Sequence, residues 1–231
     1  MESKIQNQSD DSQSMDVETE PEEPIMTPFE FFMSLPRNVP DPGQTHLPPK
    51  RRSTPKRTLV LDLDETLVHS DIAPTQTYKE VVSFMSHGRL CNVYVSYRPF
   101  LLEFLKAASQ KFEVVAFTAS QKAYADQVLK NIDPQRKLIK HRLYRESCYE
   151  YKGNYIKDLR VLGRDLKDVI IVDNSVLSFA FQLDNGIPIL SWFNDPEDRE
   201  LCNLVTLLDE LNSAPDIRPA LKASYDLSRF G

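Results

Sequence analysis

The 231-residue sequence predicts an α/β fold with a doubly wound, mainly parallel sheet. Three short apolar runs, at residues 58–63, 112–117 and 169–172, have the composition of strands that are buried on both faces. Segments with apolar residues at helical spacing separate these runs, which is the pattern of parallel strands joined by crossover helices. A fourth run, at 187–192, is predicted to extend the sheet.

The first strand ends in two carboxylates, Asp62 and Asp64, which are two residues apart. Residues with this spacing on an extended chain share a face, at the sheet edge where open α/β folds bind their ligands. Two nearby carboxylates resist joint ionisation unless a cation lies between them. The pair therefore predicts a Mg²⁺ site with a carboxylate nucleophile, although a solvated acidic turn would give the same short pattern.

Polar side chains also end the other predicted strands. Thr118 follows the second strand, Asp173 and Asn174 end the third, and Lys157 lies shortly before the third. Carboxylates, an amide, a hydroxyl and an ammonium group at one edge suit a tetrahedral dianion held against a hard cation. The same groups would clamp a phosphoryl group and offset its charge.

Between the first two strands, residues 79–85 and 91–98 alternate in polarity around His87 and Gly88. This pattern predicts a β-hairpin inserted beside the main sheet. Only a loop and this hairpin fill the interval, so the sequence predicts no large cap domain over the carboxylate edge.

Three helices are predicted to follow the hairpin. Pro99 opens the first, with Phe100 on its apolar face. Ser120 is predicted to cap the second, which carries Tyr124, and Asp195 to cap the last.

Residues 1–56 differ in composition from the predicted domain at 57–231 and are expected to form a disordered tail. Residues 1–24 are acidic and contain almost no large apolar side chains. Residues 25–35 form an apolar island, which is either a docking helix for a partner or a strap that packs on the domain. Residues 47–57 form a basic, proline-rich linker, which is either a nuclear-import signal or a solvated connection.

The composition excludes several classes of protein. A net charge of −6 and a pI of about 5.3 argue against direct nucleic-acid binding. The three cysteines are far apart and in no metal-ligand pattern, which is typical of free thiols in a reducing compartment. No apolar run has the ~18–20 residues of a membrane span, and residues 1–11 lack the pattern of a signal peptide. The sequence thus predicts a soluble intracellular protein, nuclear or cytoplasmic or both.

Three motifs resemble the haloacid-dehalogenase (HAD) superfamily: Asp62-Leu-Asp-Glu-Thr-Leu-Val-His69, Phe117-Thr-Ala-Ser120 and Val172-Asp-Asn-Ser175. Within it, they resemble the small C-terminal-domain phosphatases, the RNA polymerase II tail phosphatase family, and most of all its small phosphatase-like 2 branch. Residues 58–216 carry the resemblance, with further matches at Arg98-Pro99, Arg145–Cys148, Gly153–Asp158, Leu162–Asp165 and Ser191–Phe193. It implies a Rossmann-like, HAD-like sheet and a Mg²⁺-dependent phosphatase that acts on phosphoserine or phosphothreonine in proteins.

The resemblance also implies roles for the acidic positions. Asp62 would be the nucleophile that forms an aspartyl-phosphate, which splits one difficult displacement into two. Asp64 would act as general acid and then as general base. Asp62, the Asp64 carbonyl and Asn174 would bind Mg²⁺, and Asp173 would bind the ion or hold its waters and Lys157.

The remaining positions concern the substrate. The resemblance implies that Thr118 donates to a phosphate oxygen and that Lys157 pairs with the phosphate. Arg145 is expected to contact phosphate or substrate, with a structural salt bridge as the alternative. Tyr124 either lines the cleft or packs in the core. Ile72 is a further candidate for substrate binding, through an aliphatic pocket.

Three other polar residues near the motifs are predicted to have structural roles. Thr66 is expected to fix the loop of Asp62 rather than to touch substrate, and Arg98 to support the chain beside Pro99. His69 has no partner at metal-ligand spacing and is expected to pack around the turn.

An open cleft suits an extended phosphopeptide better than an engulfed metabolite. Family members that act on polymerase-tail serines are expected to grip a proline with an aromatic and an apolar residue, where this chain has Ile72 and Gln121. This difference weakens the case for the polymerase tail. The alternatives are a scaffold that acts through its tail, a small-molecule phosphatase of the same superfamily, and a receiver domain, which lacks the second acid found at Asp64.

Overall fold

The structure is a computed structural model that describes residues 26–227. The acidic stretch predicted at 1–24 therefore lies outside the described residues. The strands are β1 (Arg57–Leu61), β2 (Val68–Asp71), β3 (Glu80–Ser86), β4 (Arg89–Tyr97), β5 (Phe112–Phe117), β6 (His141–Leu143), β7 (Tyr149–Tyr151), β8 (Asn154–Ile156), β9 (Val169–Asp173) and β10 (Gly186–Pro188). The helices are α1 (Pro28–Ser34), α2 (Leu101–Lys111), α3 (Lys122–Ile132), α4 (Glu200–Asn212) and α5 (Arg218–Ser224).

The central sheet contains five strands in the order β10-β9-β1-β5-β6, and every neighbouring pair is parallel. All five residues of β1 are buried, and their side chains alternate between two apolar layers. Leu59 and Leu61 pack in the layer formed with α2, α3 and α4, whereas Val60 packs on the opposite face with Val115 and Phe117. The predicted α/β class and parallel sheet are confirmed, and burial on both faces explains the continuous apolar runs.

The insertion between β1 and β5 is a three-stranded antiparallel sheet in the order β2-β4-β3. The predicted hairpin is present, and His87 and Gly88 have φ values of 48° and 75°, as a two-residue turn of this kind requires. β2 was not predicted, because its sequence Val-His-Ser-Asp has little apolar periodicity. The Phe84 ring packs against Tyr124 of α3 at 5.5 Å between centroids, and no large cap domain is present in the described chain.

The predicted helix starts need correction. Phe100 does not face the core: it has φ 64° at the N-cap of α2, and its side chain is 40% exposed. Gln121 rather than Ser120 is the N-cap of α3, because the Ser120 hydroxyl donates to a carboxylate of the site. Asp195 does not cap α4 either, since that helix begins only at Glu200. The predicted fourth strand shortens to Gly186–Pro188.

Residues 26–35 of the apolar island pack on the domain, as one of the two interpretations predicts. Thr27 and Glu30 form a capping box at the start of α1. Phe31 is fully buried, with its ring 6.0 Å from that of Tyr151, and Phe32 is nearly so. The expected disorder therefore does not extend to this part of the tail, because burial of two aromatic rings offsets the entropy lost on ordering the chain.

Residues 36–56 also follow the surface of the domain. The His46 amide donates to the Val161 carbonyl at 2.7 Å, and Leu47 is buried. In the basic linker, Lys50 forms an ion pair with Glu113, and the guanidinium of Arg57 is buried. Among the described residues no helix is long and apolar enough to cross a membrane.

Candidate active site

Three predicted residues meet at the carboxyl edge of the central sheet. The Lys157 ammonium lies between two carboxylates, with Nζ 2.5 Å from Asp62 Oδ1 and 2.6 Å from Asp173 Oδ2. All three side chains are buried. Their meeting follows from the topology, because β1 and β9 are parallel neighbours, Asp62 directly follows β1 and Asp173 ends β9. Burial would lower the pKa of Lys157, but the charges of Asp173 and Asp62 raise it overall, so the amine stays protonated.

Asp64 has a different environment from Asp62. Its carboxylate accepts hydrogen bonds from hydroxyl groups, from Tyr124 at 2.6 Å, from Ser120 at 2.7 Å and from Thr118 at 3.5 Å. Burial and the nearby charge of Asp62 raise the pKa of Asp64, although the hydrogen bonds from Tyr124 and Ser120 oppose the rise. Asp64 therefore holds a proton at higher pH than an ordinary aspartate does.

A tight turn brings these two aspartates to the sheet edge. Glu65 has φ 57°, and the amides of Leu67 and Val68 both donate to the Leu63 carbonyl, at 2.8 and 3.1 Å. This turn reverses the chain directly after β1 and leads into β2. The reversal leaves Asp62 beside β9 and directs the Asp64 side chain toward α3.

Two buried polar residues hold this turn. Thr66 Oγ1 donates to Asn174 Oδ1 at 3.3 Å, which ties the turn to the end of β9. The Arg98 guanidinium binds both carboxylate oxygens of Asp198 at 2.8 Å and donates to the Thr66 carbonyl at 3.1 Å. Thr66 and Arg98 thus have the structural roles predicted for them.

The predicted substrate residues lie at different distances from this centre. Thr118 and Tyr124 contact Asp64 directly. Arg145 donates to the Ala119 carbonyl at 2.7 Å and stacks over Tyr155. It has no ion pair with another described residue, so the salt bridge given as the alternative role is not formed there. Ile72 is 91% exposed on the loop after β2.

His69 lies between two acidic side chains beside the turn. Its ring nitrogens are 3.1 Å from Glu65 Oε1 and 3.3 Å from Asp71 Oδ2, and its ring packs edge-on against Phe193. These contacts agree with the predicted packing role.

Sequence reasoning missed two serines of the site. Ser120 was expected to cap α3, but it binds Asp64 instead, and Ser70 lies 2.5 Å from the hydroxyl of Tyr124. The position of Ser120 two residues after Thr118, past a strand end, was an available indication. Nothing in the sequence near Ser70 indicates its partner, because that contact joins β2 to α3.

The oxygen groups at this edge fit a hard divalent cation. Asp62 and Asp173 outnumber the one ammonium of Lys157, and a buried excess of negative charge is costly without a cation. Within residues 26–227 no three acidic, histidine or cysteine side chains form a metal site by themselves. The predicted ligand set does not need three, because it includes the Asp64 carbonyl and Asn174 Oδ1, which are oxygen ligands of the kind that Mg²⁺ accepts.

Comparison with known proteins agrees with these observations. The sequence pattern of the family described as NLI interacting factor-like phosphatase matches residues 57–218. A Dictyostelium discoideum protein named CTD small phosphatase-like protein 2 is 49% identical over 200 residues, which are 87% of this chain and 35% of the relative. The human protein named carboxy-terminal domain RNA polymerase II polypeptide A small phosphatase 2 is 44% identical over 163 residues, which are 71% of this chain and 60% of the relative.

The fold also matches that of a solved structure. Fission yeast Fcp1, an RNA polymerase II CTD phosphatase solved with beryllium fluoride, superposes with a TM-score of 0.52 at 21% identity, over 76% of this chain and 57% of that one. The chain spans between about a third and two thirds of the length of the curated relatives first matched, at 35%, 55% and 63%. The resemblance seen in the motifs is confirmed, and the chain belongs to the NLI interacting factor-like phosphatase family.

Proposed function

We propose that this chain is a Mg²⁺-dependent protein phosphatase that hydrolyses phosphoserine or phosphothreonine through an aspartyl-phosphate on Asp62. The observation that carries the proposal is the division of partners between the two carboxylates. Asp62 is paired with the ammonium of Lys157, whereas Asp64 is surrounded by hydroxyl donors and has a raised pKa. Two nearby acids in contrasting environments can serve as nucleophile and proton donor at the same pH.

In the first step a carboxylate oxygen of Asp62 attacks phosphorus, and the bond from phosphorus to the serine or threonine oxygen breaks. Asp64 gives its proton to that leaving oxygen, so the product departs as an alcohol. Lys157 offsets negative charge beside Asp62, and the Thr118 hydroxyl would donate to a phosphate oxygen.

In the second step Asp64, now ionised, takes a proton from a water molecule that attacks phosphorus. The bond between phosphorus and the Asp62 oxygen breaks, which releases inorganic phosphate and restores both carboxyl groups. Asp62, Asp173, Asn174 and the Asp64 carbonyl would hold Mg²⁺, which supplies positive charge to the transferred phosphoryl group.

The substrate class follows from the open carboxyl edge. In the described chain no large cap domain covers the site, so an extended phosphopeptide can lie across it. We propose phosphoproteins as substrates, and the polymerase tail among them because relatives carry that name. Exposed Ile72 and partly exposed Gln121 do not build an aromatic proline pocket, so we expect no strong preference for the tail.

Hydrolysis of para-nitrophenyl phosphate by wild type and Asp62→Asn, with Mg²⁺ and then with EDTA, tests this proposal. We expect Mg²⁺-dependent turnover that falls roughly 10³-fold or more in Asp62→Asn, because the nucleophile is lost. Asp168→Asn is the matched control, since Asp168 is also a buried partner of a cation but lies at the other edge of the sheet, beside Arg57. Full activity in Asp62→Asn, or none in folded wild type with Mg²⁺, would contradict the proposal.

A further inference from the structure

We propose that a cleft at the amino edge of the central sheet is a second anion-binding site, which docks a phosphorylated peptide segment of a protein. This amino-edge cleft has a volume of about 490 Å³. Its walls are residues 48–55, the start of β5 and the loop 137–141 that leads into β6. The candidate active site lies at the opposite ends of the same strands, roughly 17 Å away for a strand of five residues.

The amino-edge cleft carries an excess of positive charge in an acidic protein. Its lining includes Lys50, Arg51, Lys137 and Lys140, against the single carboxylate of Glu113. Arg51, Lys137 and Lys140 are exposed, and none of them has an ion pair with any residue in the part of the chain that the structure describes. Because the whole chain has a net charge of −6, this concentration of cations does not simply reflect a basic composition.

Glu113 cannot neutralise these three cations, because its carboxylate is already fully engaged. Arg164 binds it through two nitrogens at 2.8 Å each, and the Thr58 hydroxyl donates at 2.9 Å. His141 and Lys50 each lie 3.3 Å from one of its oxygens. Five contacts from these four residues occupy the buried carboxylate, which leaves the outer cations of the cleft available to a ligand.

The wall formed by residues 48–55 is held in place before any ligand arrives. Pro48, Pro49 and Pro55 restrict the backbone, since proline fixes φ. Arg164 Nη2 donates to the Pro48 carbonyl at 2.9 Å, and Lys50 Nζ donates to the Pro55 carbonyl at 2.9 Å. A preorganised wall lowers the entropy lost on binding.

The lining matches a phosphorylated peptide better than other anions. A guanidinium, two ammonium groups and the hydroxyl-bearing Ser53 and Thr54 suit the charge and the acceptor oxygens of a phosphate group. Leu138 and Val114 add apolar surface for the residues that flank a phosphorylated side chain. A duplex nucleic acid would need a broad basic face, and an acidic chain with one concave basic cleft does not offer it.

Fluorescence anisotropy tests the proposal with a labelled peptide that carries a non-hydrolysable phosphonate analogue of phosphothreonine, beside the same peptide with threonine. The measurement is made in EDTA, because the active site would need Mg²⁺ to hold the phosphonate against its buried acids. Lys137→Gln/Lys140→Gln is the test variant in the full chain. Lys106→Gln/Lys130→Gln is the matched control, because it removes the same charge from exposed positions on α2 and α3 that do not line the cleft. We expect about tenfold weaker binding of the phosphonate peptide in the test variant and a change within twofold in the control.

Competition with inorganic phosphate separates the contribution of the phosphate group to binding from that of the residues that flank it in the peptide. If a millimolar concentration displaces the peptide completely and the threonine peptide does not bind, the phosphate group dominates; partial displacement shows that flanking residues contribute. Both outcomes support the site, provided that the test variant is weaker than the control. Equal binding by wild type and the test variant, or equal loss in test and control variants, would overturn it.

The docking proposal and the catalytic proposal fail separately. The binding measurement uses no turnover, so it remains valid if the chain does not hydrolyse para-nitrophenyl phosphate. Conversely, Lys137→Gln/Lys140→Gln should hydrolyse that small substrate within twofold of wild type, because the two lysines lie at the opposite edge from Asp62 and Asp64. Loss of that activity together with an unchanged thermal unfolding midpoint would show that the amino edge is not an independent site.

Discussion

The two edges of the central sheet each contain a buried charge network, and the two networks have opposite stoichiometry. At the amino edge one carboxylate, Glu113, is surrounded by Arg164, Lys50 and His141. At the carboxyl edge one ammonium, Lys157, is surrounded by Asp62 and Asp173. The first arrangement satisfies its buried acid completely, whereas the second leaves negative charge in excess.

The difference indicates what each network does. A buried acid with an excess of cationic and hydroxyl partners stabilises the fold and needs no ligand to complete its hydrogen bonds. A buried cation with an excess of acids is costly in the free protein and becomes favourable when a metal ion completes it. An excess of buried negative charge, rather than burial or the number of ion pairs, therefore distinguishes the catalytic edge from the Glu113 network.

Removing the central cation from the carboxyl edge should have the largest effect on activity. We expect Lys157→Ala to lower turnover of para-nitrophenyl phosphate roughly 10²- to 10³-fold, because two buried acids then face the phosphate dianion without an ammonium between them. Steady-state kinetics with Mg²⁺ measures this effect. Turnover within threefold of wild type would rule out a role for Lys157 in pairing with phosphate.

The equivalent change at the amino edge should affect stability instead. Arg164→Ala removes both of the 2.8 Å hydrogen bonds from its guanidinium to Glu113, which keeps Lys50 and His141, and loss of hydrogen bonds to a buried charged group costs about 1.5–3 kcal/mol. Urea unfolding should show this loss, while turnover per folded molecule stays near wild type. A large fall in turnover with no loss of stability would reverse the functions that we assign to the two edges.

The free energy of unfolding at acid pH should show the contribution of the Glu113 carboxylate. Burial alone would raise its pKa, but hydrogen bonds from Arg164, His141 and Thr58 hold it well below the ordinary value of 4.5. The unfolded chain then binds a proton at Glu113 before the folded chain does. The contribution of Glu113 is therefore complete above about pH 4.5 and is lost as the pH falls toward its lower folded pKa.

Urea unfolding of wild type and Glu113→Gln between pH 6 and pH 3.5 checks this dependence. The stability advantage of wild type should be constant at the upper end and should shrink below pH 4.5, by at most about 1.4 kcal/mol per pH unit. The difference between the two proteins removes the contribution of the other acidic groups. An advantage that does not change with pH would mean that the Glu113 carboxylate is not held ionised by its partners.

The parallel sheet was predictable from the sequence because local composition reports burial. Continuous apolar runs at residues 58–61, 112–117 and 169–172 occupy β1, β5 and β9. Helix starts were less predictable, because the same side chains have competing partners. The hydroxyl of Ser120, which local rules assign to a helix cap, instead forms a 2.7 Å hydrogen bond to the carboxyl group of Asp64, 56 positions away.

Some residues of the candidate site could likewise be predicted from the sequence, and others could not. The acids at strand ends and Lys157 were predictable, because parallel strands bring their carboxyl ends to one edge and the motifs resemble a known family. The hydroxyl shell around Asp64 was not, because Tyr124 of α3 binds Asp64 and Ser70 of β2 contacts Tyr124, and no local pattern encodes either contact. Likewise, the packing of Phe31 against Tyr151 joins positions 120 residues apart, so composition alone left the island undecided.

The hydroxyl shell should have the smallest of these effects, and a selective one. The Tyr124 hydroxyl donates to Asp64 Oδ1 at 2.6 Å, so Tyr124→Phe frees the carboxyl group to rotate without emptying the core. We expect kcat/KM for a phosphoserine peptide to fall about tenfold, and that for para-nitrophenyl phosphate less than threefold. An alkoxide leaving group needs the proton of Asp64, whereas a nitrophenolate departs without one.

Tyr144→Phe is the matched control. The Tyr144 hydroxyl donates at 2.8 Å to Asp126 of α3, the helix that carries Tyr124, but it does not contact Asp64. It should cost similar stability and change neither kcat/KM. An equal fall for both substrates in Tyr124→Phe would mean that the ring shapes the cleft rather than orients the acid, and no change would mean that Ser120 and Thr118 hold Asp64 without it. A selective fall would establish that the contrast between Asp62 and Asp64 arises from their partners, since Tyr124→Phe alters neither carboxylate itself.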